Sequence, residues 1–134
     1  MRALALNGII IGTVLVALLL GRGGDGPTTI EFAPGLWRCD GTERSWTAAI
    51  PAEALDIRLD WMTGGPAGEV RASSMTNRNV LEPYRQPDGT FRVVTAAADA
   101  PECGLAPGTY TLAIRDAASN ALLASGTVEL APAP

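Results

Sequence analysis

LAPGTYTLAIRDAASNALLASGTVEL, residues 105–130, decides how the rest of the chain is read. Tyr110, Leu112 and Ile114 alternate with Thr109, Thr111 and Arg115, a period of two that places apolar groups on one face of a strand and polar groups on the other. A polar turn, Asp116 to Asn120, leads into a second run of the same kind. There Leu122, Ala124, Gly126, Val128 and Leu130 share one face, while Ser125, Thr127 and Glu129 take the other. Two long alternating runs joined by a short polar turn predict an antiparallel hairpin.

The same period recurs upstream. Ile30 and Phe32 alternate with Thr29 and Glu31, and Trp46, Ala48 and Ile50 with Thr47 and Ala49; Phe91 and Val93 point away from Arg92. In ALDIRLDWM, residues 54–62, Leu55, Ile57, Leu59 and Trp61 form the core face, leaving Asp56, Arg58 and Asp60 to solvent. The turn TGGPAG then leads to Val70 and Ala72. Pairing the two runs sets Trp61 opposite Val70 and Asp60 opposite Arg71, so that apolar faces agree and opposite charges meet on the wet side. Seven or eight strands result, with no amphipathic helix longer than two turns. The expected fold class is therefore all-β, two stacked antiparallel sheets forming a sandwich over residues 28–131, followed by a tail at 132–134.

Composition narrows the chemistry. The chain has 134 residues, a net charge of -4 and no histidine, and its ten basic residues are all arginine. Without imidazole, hydrolase triads that need it are excluded, and the commonest metal ligand is missing. Acids and arginines are interspersed without a basic run, which excludes nucleic acid as a natural partner. Asp56 and Asp60 point the same way but lie ~13 Å apart along a strand, too far to act together on one glycosidic bond. The loop carboxylates Asp40, Glu43, Asp99 and Glu102 lack the regular oxygen spacing of a calcium loop. The chain is accordingly expected to be no enzyme and to hold neither cofactor nor metal.

The N-terminus raises a different question. From Ala3 to Leu20 there are 18 residues without a charge. As a helix they extend ~27 Å, close to the ~30 Å hydrocarbon core of a bilayer. A cleaved leader would carry small residues just before the cut, whereas this zone reads ALLLGR from Ala17. The span is the preferred reading, and the cleaved leader is its alternative. We expect a transmembrane helix at 1–20, a glycine-rich linker at 21–27 and the sandwich beyond it. Gly8 and Gly12 form a GxxxG pair on one helix face, with Asn7 beside it, which suits close packing against another span.

Cys39 and Cys103 are the two cysteines, an even count that suits an oxidising compartment and a disulfide closing a loop of about 65 residues. Two buried thiols that never meet are the other reading. Oxidation implies a cytoplasmic N-terminus and an exported C-terminal domain.

Leu105-Ala106-Pro107-Gly108-Thr109-Tyr110 resembles the L-x-P-G-x-Y turn of immunoglobulin-like and fibronectin type III-like domains. The resemblance spans about residues 28 to 131 and implies an immunoglobulin-like β-sandwich of a bacterial exported, membrane-anchored protein. It implies that Tyr110 hydrogen-bonds back across its corner, and Trp61 is similar to the core tryptophan of such domains. Cys103 departs from the pattern, because it precedes Tyr110 whereas the family's second cysteine follows it. A Cys39 to Cys103 bond would then tie a loop to a strand near the membrane side or the rim, and strand order stays open.

One loop remains. Residues 73–89, SSMTNRNVLEPYRQPDG, form the longest stretch without alternation and carry Met75, Arg78, Tyr84 and Arg85, residue types that interfaces favour. They are the expected contact loop. The function that follows is a non-catalytic accessory subunit of a larger bacterial membrane complex, for example photosynthetic or respiratory. It would be a single-pass protein of the inner membrane, touching other subunits and the lipid bilayer, with its sandwich on the periplasmic face. The alternative is a free membrane-anchored module that recognises a protein or glycan.

Overall fold

The computed structural model describes residues 26–132. The expected span at 1–20 with Asn7, Gly8 and Gly12, nearly all of the linker and the last two residues of the tail lie outside the described residues. Among those described, no helix is long and apolar enough to cross a membrane.

Nine strands follow one another: β1 (Thr28–Thr29), β2 (Glu31–Ala33), β3 (Leu36–Trp37), β4 (Arg44–Ala48), β5 (Asp56–Thr63), β6 (Glu69–Asn77), β7 (Phe91–Thr95), β8 (Gly108–Asp116) and β9 (Leu122–Leu130). One short helix, α1 (Arg78–Leu81), and 3-10 turns at Glu82–Tyr84 and Pro101–Gly104 interrupt them. The larger sheet runs β1-β9-β8-β5-β6, with β3 also on β9, and the smaller runs β2-β4-β7. The fold is all-β in two sheets, a sandwich-like arrangement. A single apolar cluster joins Trp46, Ala48 and Phe91 of the small sheet to Ile57, Trp61, Leu112, Ile114, Ala124 and Val128 of the large one.

The hairpin that opened the sequence reading is present. Tyr110 pairs with Val128, Leu112 with Gly126 and Ile114 with Ala124, all with the faces that alternation requires. Its turn closes through Asp116 N–H to Ala121 O and Asn120 N–H to Asp116 O, with Asn120 in the left-handed region at φ 66°.

Four expectations are corrected. The strand count exceeds seven or eight because the first segment divides itself between the sheets. β1 and β3 pair with β9, while β2, between them, pairs with β4; the Ala33–Pro34 peptide, which is cis, separates β2 from β3. Because β1 and β3 run parallel to β9, the pairing is not wholly antiparallel. This path brings Ile30 across Gly126, where an added Cβ would sit 2.4 Å from Ile30 O.

The β5–β6 register is also different. Trp61 pairs with Ala72 and Met62 with Val70, leaving Arg71 as the extra residue of a bulge. The five-residue turn closes at Thr63 and Glu69, with Gly68 so tight that a Cβ would meet Thr63 O at 1.9 Å. The bulge restores small Ala72 beside Trp61 on the core side and turns Val70 outward, where it is 48% exposed.

Asp60, expected on the wet face, is 2% exposed. Arg58 Nε donates to both of its oxygens at 3.1 and 3.0 Å, Ser73 Oγ donates to Oδ1, and Arg115 Nε lies 3.7 Å away. Arg115 in turn donates to Pro66 O in the β5–β6 turn at 2.6 Å. That turn and the two arginine stems cover the outer face here, so a residue on the outward side of a strand is nonetheless buried.

Candidate contact face

β1 meets β9 at its start, through Thr28 and Ala124, and the strands β5, β6 and β7 begin or end at the same level. Thr28 Oγ1 lies 3.4 Å from Ala49 O and 3.5 Å from Leu123 O. This end of the sandwich therefore gathers the β4–β5 loop, α1 with its 3-10 turn, the β8–β9 turn and the first described residues, from Gly26 to Thr28.

Arg78 holds these loops together. Its Nη1 donates to Ile50 O at 2.8 Å and Pro51 O at 2.9 Å, its backbone N–H donates to Leu55 O, and its guanidinium stands 4.9 Å from the Phe91 ring centroid. The expected contact residue is thus turned inward as a brace. The stretch read as an irregular loop is ordered too. Residues 73–77 finish β6, Asn77 caps α1 by accepting from Val80 N–H at 3.1 Å, and Arg85 bridges to Phe91.

The other three residues lie outward. Met75 is 61% exposed, Tyr84 is partly exposed, and Arg85 is paired with Glu82 at 2.9 Å. Two exposed apolar residues at this end were missed by the sequence reading: Leu55 at 64% and Val80 at 61% exposure. Leu55 was placed on the core face by alternation, but it stands one residue before β5 begins, where no sheet face exists to receive it. Val80 could have been found from the Asn77 cap, which starts a turn of helix with only Leu81 of its residues buried. Exposed Glu53 and Asp56 flank Leu55 along the chain, and Glu82, which follows α1, is paired with Arg85.

The flank between β1, β4 and β7 is polar. Glu31, Thr47 and Arg92 stand side by side across the small sheet, and with Thr28 and Thr90 they line an open groove of about 400 Å³. At its rim Asp88 accepts from Thr90 Oγ1 and N–H at 2.7 and 2.9 Å, and these bonds hold its carboxyl below the ordinary aspartate value. Asp40 is lowered in the same way by Thr42, its side chain first.

The opposite end is closed covalently. Cys39 and Cys103 are bonded, Cα atoms 5.8 Å apart, across a sequence separation of 64. This bond lies at the Leu130 end of β9, ~20 Å along that strand from Ala124 by the usual rise. It is a rim bond, and on the end away from the chain's entry. Beside it Tyr110 OH donates to Ala106 O at 2.7 Å, and Arg44 Nη2 meets Glu102 Oε2 at 3.0 Å. Among the described residues no group of three or more Cys, Asp or Glu is placed to hold a metal ion.

No protein-family model matches the chain, and no curated protein matches it significantly in sequence.

Proposed function

We propose that the protein is a non-catalytic accessory subunit of a larger bacterial membrane complex, for example a photosynthetic or respiratory one. It is held in the inner membrane by one span over residues 1–20, with its sandwich on the periplasmic side. The observation that carries this reading is the position of Leu55 and Val80. Both are large, exposed and apolar, and both sit on the end of the sandwich at which the described chain begins, near Thr28. An anchored domain holds that end toward the bilayer, beside whatever the span packs against. Exposed apolar groups there require cover. The exposed acids Glu53 and Asp56, which flank Leu55 along the chain, disfavour an anionic lipid surface and suit a neighbouring subunit that offers basic and apolar side chains.

Two further features support the reading. The Cys39–Cys103 bond fits an oxidising compartment. The arrangement β9-β8-β5-β6 over β2-β4-β7, with the Tyr110 bond at its corner, agrees with an immunoglobulin-like sandwich.

Detergent solubilisation followed by size-exclusion chromatography tests the proposal. The protein is expected to migrate with a large assembly. Replacing Leu55 and Val80 with Asp, or Gly8 and Gly12 with Ile, is expected to release it. Migration alone by the unaltered protein sinks the proposal. It favours instead a free module that binds a hydroxyl-rich ligand such as a glycan in the Thr28, Thr47 and Thr90 groove.

A further inference from the structure

The connection between β7 and β8, residues 96–107, pairs with no strand among the described residues. Its backbone donors bond locally: Cys103 N–H to Ala100 O at 2.9 Å, Leu105 N–H to Glu102 O at 3.1 Å and Ala97 N–H to Thr95 Oγ1 at 3.1 Å. Side chains fasten the segment to the body. At its far end Leu105 packs on the core and Tyr110 OH donates to Ala106 O. Before that, Arg44 Nη2 donates to Ala97 O at 2.8 Å and meets Glu102 Oε2 at 3.0 Å, and Cys103 is bonded to Cys39. Two of these ties fall on consecutive residues, Glu102 and Cys103, of the 3-10 turn Pro101–Gly104.

This turn lies over the tryptophans. Ala100, Pro101 and Glu102 line a half-open cleft of about 160 Å³ together with Trp37, Trp46 and Trp61, the three tryptophans of the chain. The cleft lies between β6 and β7, strands at the edges of the two sheets that no other strand joins among the described residues. With the turn in place the indoles are 2%, 6% and 4% exposed. The buried cluster that holds the sheets together takes no residue from the turn, so the sheets do not need it to stay packed.

Cys39 and Cys103 are themselves only half-buried, which leaves their bond within reach of a small reductant. A dithiol that attacks Cys39 Sγ expels the Cys103 sulfur as a thiolate, with Arg44 Nη2 3.5 Å from it, and that thiolate takes up a proton. The second sulfur of the dithiol then displaces Cys39. The reductant closes into its own disulfide, and two electrons and two protons end on the cysteines. The turn is left with the Arg44–Glu102 pair alone, and a surface segment with few backbone bonds to its neighbours opens at low cost.

We propose that the turn Pro101–Gly104 is a redox-controlled cover over the tryptophan cleft. The Cys39–Cys103 bond locks it down, and reduction of that bond lifts it while the two sheets stay packed.

Acrylamide quenching of tryptophan emission tests this on the full chain in detergent micelles, before and after treatment with dithiothreitol. Thiol labelling certifies complete reduction, and circular dichroism follows the sheets in the same samples. Because all three tryptophans line the cleft, quenching reports on it directly. The bimolecular quenching rate, corrected for fluorescence lifetime, is expected to rise about twofold or more on reduction and to return on re-oxidation, with the sheet signal unchanged. Glu102→Gln weakens the other tie and is expected to leave quenching of the oxidised form as it was, because the covalent bond holds the turn by itself. Quenching that does not change on complete reduction overturns the proposal. A rise that comes with loss of the sheet signal overturns it too, since the bond would then fasten the whole fold. So does a comparable rise in oxidised Glu102→Gln, which would make the ion pair the lock.

Discussion

Arg44 and Glu102 form an ion pair inside the sandwich, Nη2 to Oε2 at 3.0 Å, with 1% and 7% of their side chains exposed. The same guanidinium donates to Ala97 O at 2.8 Å and Arg38 O at 3.3 Å, so it ties the loop after β3 to the loop after β7. Removing one member of a buried pair leaves the other charge stranded at a cost of ~3–5 kcal/mol. Arg44→Met is expected to lose that much in urea unfolding. Arg44→Met with Glu102→Leu should lose clearly less, because neither charge then remains.

The disulfide makes the second prediction. Closing a 64-residue separation restricts the unfolded chain, which corresponds to about 4 kcal/mol on the chain-entropy account. Replacing Cys39 and Cys103 together with Ser is expected to lower the denaturation midpoint accordingly. Thiol labelling of the unreduced, unfolded protein should find no free sulfur.

Gly126 is expected to tolerate no side chain. A Cβ there would lie 2.4 Å from Ile30 O and 2.9 Å from Phe32 Cε2. The first of these is backbone and cannot swing away. Gly126→Ala should cost ~1–3 kcal/mol, the usual range for overpacking. It should also speed hydrogen exchange at Ile30 N–H, which now donates to Ser125 O at 2.8 Å. Unchanged exchange at Ile30 would mean that the first strand does not depend on this contact.

Acid provides a fourth test. Hydrogen bonds from the Thr90 hydroxyl and backbone N–H hold the Asp88 carboxyl below the ordinary aspartate value. A depressed pKa means that the folded turn binds its proton less readily than the unfolded chain does. Its contribution is therefore complete above about pH 4 and disappears as pH falls through the folded value. Titration by NMR should show Asp88 midpoints below those of an exposed aspartate. Thr90→Val should return it toward the ordinary value.

The strands that alternate cleanly were legible. β4, β8 and β9 each turn one row of large apolar side chains to the core, so their period of two is strong even though Ser45, Thr111 and Ala113 on the other face are buried too, and the β8–β9 turn followed from Asp116 to Asn120. The bulge at Arg71 was not legible, because alternation by itself does not reveal one extra residue when Val70 and Ala72 are both apolar. Asp60 was misplaced for a related reason. Its position in the period was read properly, but the cover given by Arg58, Arg115 and the β5–β6 turn comes from residues distant in sequence.

Among the residues singled out as interface types, Met75 points outward from β6 and Tyr84 from the 3-10 turn after α1. Arg78 does not, since its long stem lets the guanidinium fold back to the carbonyls of Ile50 and Pro51. Leu55 was hidden by a strand boundary. Ends of elements are where a periodic reading carries least information.

β1 and β3 lie alongside β9 and point the same way, so the described chain arrives at one end of the body and departs from the other. A pull on Thr28 against Leu130 would drag these neighbours past each other lengthwise. Their backbone hydrogen bonds would then share the load and break together instead of opening one by one like a zipper. Resistance of that kind is set by the height of the unfolding barrier rather than by equilibrium stability. A body fastened by one terminus and tugged by the other is well served by such a seam.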